Sequence, residues 1–74
     1  MSKDLTLEIV ENIKEVAEEL REKGTSATPF ERGLLLGHAD ALRIIQGAYA
    51  GYDLKEIGLG IDIDREYLPY RTED

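Results

Sequence analysis

The segment from Pro29 to Ala50 carries apolar residues on two adjoining helical seams, and this pattern limits the chain's possible folds more than any other feature. Phe30, Leu34, Gly37, Ala41, Ile44 and Ala48 form one seam at heptad spacing. Leu35, His38, Leu42, Ile45 and Tyr49 form the other, shifted by one position, or about 100° round a helix. Together they cover close to half the circumference. One antiparallel helix can bury one seam. The other must meet the C-terminal segment, a second copy of the chain or a foreign partner.

The start of this helix is written in Thr28-Pro29-Phe30-Glu31. A threonine at the N-cap, proline at the first helical position and glutamate at the third make a capping box. Before it, Ile9, Ile13, Val16 and Leu20 recur at spacings of four, three and four, widened by Val10 and Ala17. That stripe predicts an amphipathic helix over about 5–23, stopped by Gly24. Two long helices with a short connection predict an antiparallel hairpin over about 5–23 and 29–50.

The remainder is less regular. Asp53-Leu54-Lys55-Glu56 predicts a short C-terminal helical turn ending at Gly58. Leu59, Ile61 and Ile63 alternate with Gly60, Asp62 and Asp64, which predicts an extended, strand-like tail. Pro69 interrupts the last stretch of the chain. The whole of 1–74 reads as a single small, mainly α domain.

Size makes a partner pressing. A chain of 74 residues gains only about 3–5 kcal/mol from one core, and such domains add disulfides, a metal or oligomerisation. Cysteine is absent, which removes disulfides, thiolate zinc sites and a cysteine nucleophile. A helical-bundle homodimer or higher oligomer is the expectation, with Leu35, His38, Leu42, Ile45 and Tyr49 as the self-association seam. Gly33, Gly37 and Ala41 are small residues four apart, a spacing that lets helix backbones approach closely. The close neighbour is either the first helix or a second copy. His38 meeting its own copy would make association sensitive to pH near 6–7.

Charge is sorted along the chain. Residues 1–24 hold seven acids and four bases, net −3. Residues 25–50 hold two of each, and 51–74 hold seven acids and three bases, net −4. The total of −7 argues against direct nucleic-acid binding, which needs a basic face. Glu8, Glu11, Glu15, Glu18 and Glu22 recur at three, four, three and four, on the face away from the apolar stripe. They form either an acidic surface that docks a basic patch or a solvated face. The tail supplies a second candidate interface in Tyr52, Ile61, Asp62, Ile63, Asp64, Tyr67 and Tyr70, because tyrosine suits partly wet contacts.

Two other motifs are incomplete. Asp62, Asp64 and Glu66, with Glu73 further on, resemble calcium-loop ligands, but Tyr67 stands where the loop needs glycine. Leu54 to Ile61, with Asp62 to Leu68 as reader, resembles a degenerate helix-turn-helix, and its reader would carry three acids against Arg65. No phosphate-binding loop, metal constellation or nucleophile–base pair is legible, so no cofactor, metal or catalytic activity is expected. No run reaches the roughly 20 apolar residues of a membrane span. Neither a signal peptide nor a membrane contact is expected, and the cytoplasm is the expected location.

In its shortness, acidity and helical-hairpin character the chain resembles small proteins encoded by phages and other mobile elements, some of which inhibit host defence systems. That resemblance implies action in a host cytoplasm, by occupying a basic surface that otherwise holds nucleic acid. The leading expectation is thus a non-enzymatic inhibitor or adaptor that binds a protein partner with a basic surface. The alternative is a small DNA-associated transcriptional regulator using the C-terminal element.

Overall fold

The computed structural model describes residues 3–68. Helix α1 spans Lys3–Glu22 and helix α2 spans Pro29–Ala48, joined by a 3-10 turn at Gly24–Ser26. A second 3-10 turn at Leu54–Ile57 and a short helix α3 at Ile63–Tyr67 complete the described chain. It is helical, with no strand among the described residues. The two long helices form the antiparallel hairpin that their spacing predicts.

The junction follows its local chemistry. Gly24 adopts φ +53, the left-handed conformation that ends α1. The Thr28 hydroxyl accepts from the Glu31 backbone N–H at 3.1 Å, and the Glu31 carboxylate accepts from the Thr28 N–H at 2.9 Å. Lys23 then reaches across the turn to the same carboxylate at 3.0 Å. These contacts hold Glu31 below the usual carboxylate range, the Thr28 backbone bond most of all and Lys23 next.

The segment from Leu54 to Leu68 lies as a second layer on one side of the hairpin. Gln46 fixes it to α2, donating from Nε2 to the carbonyls of Leu59 and Ile61, each at 3.1 Å. Arg43 pairs with Asp64 and with Asp40. From α1, Lys14 donates to the Gly58 carbonyl at 2.8 Å, and Arg21 donates to both the carbonyl and the carboxylate of Glu66 at 3.0 Å. The core fills the angle between the layers: Val10 and Ala17 from α1, Leu35, Ala39 and Leu42 from α2, and Ile57, Leu59, Ile63, Tyr67 and Leu68 from the second layer. Tyr67 is the largest fully buried side chain among the described residues.

Three expectations are corrected. The tail is not extended through Ile63, because the Asp62 side chain accepts from the Arg65 N–H and starts α3 there. The alternation at Leu59, Ile61 and Ile63 still marks inward-facing residues; Leu59 and Ile63 are buried and Ile61 packs against the core. The inward stripe of α1 is Val10, Ile13, Ala17 and Leu20, while Ile9 and Val16 remain exposed at its edge. The seam of α2 that turns inward is Leu35 and Leu42, with Ile45 and Tyr49 packed on the same core. It is therefore occupied within the chain. The seam left outside is Phe30, Leu34, Gly37, Ala41, Ile44 and Ala48, with Phe30 75% exposed and Ile44 73% exposed.

Candidate functional site

The outer face of α1 is a ridge of carboxylates. Glu8, Glu11, Glu15 and Glu22 are all exposed, and none forms an ion pair with another described residue. From Glu8 to Glu22 the ridge runs about 21 Å at 1.5 Å per residue. Glu18 is the exception. It is half-buried and accepts from the Tyr67 hydroxyl at 3.5 Å. The Tyr67 phenol is pushed up to about 12, chiefly by burial and then by the charges of Glu18 and Glu66, partly offset by Arg21.

The cations beside this ridge do not neutralise it. Lys14 is drawn to Gly58, Arg21 to Glu66 and Lys23 to Glu31, so all three point into contacts with other parts of the fold. A linear sequence with Lys14 and Arg21 adjacent to the glutamates gives no sign of this. It follows from the second layer, whose carbonyls and carboxylate take the ammonium and guanidinium groups away.

The other expected site residues are scattered. Gly33 and Gly37 lie on the exposed side of α2, and a methyl group added at either would meet nothing within 4 Å. They make no close packing with other described residues. His38 is half-buried, its Nδ1 2.7 Å from the Leu34 carbonyl oxygen. Of the tail set, Ile63 and Tyr67 are core residues and Ile61 is half-buried. Asp62 caps α3, Asp64 pairs with Arg43, and Tyr52 is 74% exposed beside Tyr49 in an edge-on ring contact. Tyr70 lies outside the described residues, as do Pro69 and Glu73. The region resembling a helix-turn-helix consists of a four-residue 3-10 turn and a five-residue helix. A five-residue helix is about 7.5 Å long, and this one buries Ile63 and Tyr67.

Sequence reasoning missed one concavity. A cleft of about 330 Å³ opens where the end of α1, the connecting turn and Tyr67 meet. Leu20, Leu35 and Tyr67 give it apolar walls, and Arg21, Glu31 and Arg32 line it too. Its size is at the small end of ligand pockets. Every buried side-chain nitrogen and oxygen among the described residues has a hydrogen-bond partner. Thr6, the one buried polar residue among those described, is 2.8 Å from the Tyr49 hydroxyl.

No helix among the described residues is long and apolar enough to cross a membrane. Compared with models of protein families, with curated proteins and with solved structures, the chain finds no match.

Proposed function

We propose that this chain is a non-enzymatic protein-binding module, an inhibitor or adaptor that lays the carboxylate ridge of α1 on a basic surface of a partner. The observation that supports it is the diversion of Lys14, Arg21 and Lys23 into contacts elsewhere in the fold. A ridge serving only solubility gains from having cations among its glutamates, since like charges one turn apart cost about 0.2–0.5 kcal/mol per pair. Here the cations are held elsewhere and the anions stand alone.

The ridge suits a patch more than a channel. Its four exposed glutamates over about 21 Å give roughly one charge per 5 Å, against one per about 1.7 Å of axis for duplex DNA. A single row of that density matches one line of lysines and arginines on a partner. On this reading the chain competes for a surface that otherwise holds phosphates, in the manner of the mobile-element inhibitors it resembles in size and acidity.

The test reverses Glu8, Glu11 and Glu15 to lysine together. Glu18 is left intact because it supports Tyr67. Affinity capture from host extract, at low and at moderate salt, should recover a basic partner with the wild-type chain only, and recovery should fall steeply as salt rises. Equal recovery by the reversed variant, with its helical circular dichroism unchanged, would reduce the ridge to a solvated face.

A further inference from the structure

Among the described residues, the hairpin leaves one broad side uncovered. On α1, the residues that reach the second layer are Lys14, Glu18 and Arg21. Leu5, Ile9 and Val16 lie roughly half a turn round the helix from them. On α2, Arg43 and Gln46 reach the second layer, and Phe30, Leu34 and Ile44 lie roughly half a turn away. Both exposed stripes therefore open on the same face, opposite the second layer. Six of the seven large hydrophobic side chains exposed among the described residues sit there; the seventh is Tyr52.

We propose that this face binds a second copy of the chain, in a four-helix arrangement that sets α1 of each copy against α2 of the other. Area is the first argument. Scaled by their exposures, the six side chains present roughly 500 Å² at about 150–200 Å² for a whole one. Two copies face to face would bury about 1,000 Å² from these side chains, the size at which specific interfaces begin.

Shape is the second argument. Within the hairpin, Thr6 stands level with Tyr49 and Lys23 with Glu31. A two-fold axis parallel to the helices keeps every residue at its own level. It then places Val16 against the partner's Gly37 and Leu5 against the partner's Ala48. By the same operation Phe30 faces the partner's Gly24 and Ile9 faces the partner's Ile44. Large side chains meet small ones at three of these four levels. The open space over Gly37, where a methyl group would touch no described residue of its own chain, is where the partner's valine enters.

Charge is the third argument. The alternative face-to-face pairing, α1 on α1, brings the acidic edge of one copy beside that of the other. The crossed pairing sets it beside α2, whose segment 25–50 carries two acids and two bases.

Sedimentation equilibrium at tens to hundreds of micromolar is expected to give twice the 8.3 kDa chain mass. Ile44→Glu alters a side chain 73% exposed in one copy, so the helical circular dichroism should stay unchanged while association weakens by more than about a hundredfold. The pairing is read by oxidation, since the wild-type chain has no cysteine. Single-cysteine chains Val16→Cys and Gly37→Cys should form a disulfide heterodimer when mixed, because a bridge needs Cα atoms within about 7 Å. Neither should cross-link to itself. A wild-type monomer throughout the range would overturn the proposal and leave the face to a foreign protein. So would a dimer indifferent to Ile44→Glu. Self-linked Val16→Cys would overturn the crossed pairing.

Discussion

Replacing Gly33 by alanine should stabilise the chain, and replacing Gly37 by alanine should stabilise the single copy equally while weakening its association. Both glycines lie inside α2, and a methyl group at either meets no atom within 4 Å. Alanine is favoured over glycine in a helix interior by about 0.8–1.0 kcal/mol, because its backbone loses less freedom on folding. A chain of 74 residues has a total stability of roughly 4–11 kcal/mol. One such substitution should therefore raise the melting temperature by about 4–8 °C. At Gly37 the gain meets an opposing effect in the assembled form. The partner's Val16 fills that space, and an added methyl group there costs about 1–3 kcal/mol of overpacking. The assay is thermal unfolding by circular dichroism at two protein concentrations a hundredfold apart. At the lower one, both variants should melt above wild type by the same margin. At the higher one, wild type and Gly33→Ala should gain further stability from mass action, and Gly37→Ala should gain little. If Gly37→Ala melts below wild type in the dilute sample, the glycine is needed inside the chain and the account of an open α2 face fails. If the two variants match at both concentrations, Gly37 has no partner.

Gln46→Met keeps the side-chain length but removes both donors to the second layer, so two half-buried carbonyls lose their bonds at a cost of about 2 kcal/mol; the urea midpoint should fall, and an unchanged midpoint would mean that the apolar core and the Lys14, Arg21 and Arg43 contacts hold that layer without it. Tyr67, with its folded pKa near 12 against about 10 in the unfolded chain, contributes stability that is complete below about pH 10 and lost as pH rises toward 12. Unfolding free energies from urea titrations at pH 9 and 11 should differ by roughly 1 kcal/mol in wild type and far less in Tyr67→Phe. Thr28→Ala removes the cap of α2 and should cost about 1 kcal/mol by the same measurement. Glu31 has a lowered folded pKa, so its contribution is present above the ordinary carboxylate range and lost as pH falls through the folded value. Glu31→Gln should flatten the acid limb of the stability curve, and an unaltered limb would show that the Thr28 and Lys23 contacts do not persist in solution.

What the sequence made legible was what nearest neighbours decide. Thr28, Pro29 and Glu31 specify a helix start within four positions, and the reciprocal bonds form as the capping rule requires. Both long helices and their antiparallel return followed from period and loop length. Which seam of α2 would turn inward was not legible, because Leu35 and Leu42 look as apolar as Phe30 and Ile44. The choice is made at a distance, by Gln46 and Arg43, which face the second layer and turn the seam beside them inward. Helix α3 was missed because three alternating apolar residues imitate a strand. Asp62 three positions before Arg65 was the available sign, a side chain able to cap a backbone N–H. The bare carboxylate ridge was legible as a row of residues but not as a field, since the fate of Lys14 and Arg21 depends on groups more than forty positions away.

That displacement of cations has an electrostatic consequence. By drawing Lys14 and Arg21 toward the second layer, folding leaves the outer face of α1 with its carboxylates and without these two cations. The ridge runs about 21 Å, more than twice the Debye length of about 8 Å at physiological salt. On the proposed reading, a positive surface attracts this face of the molecule, and the attraction weakens as salt rises. The unfolded chain, with its lysines and arginines mingled among the glutamates, has no such face.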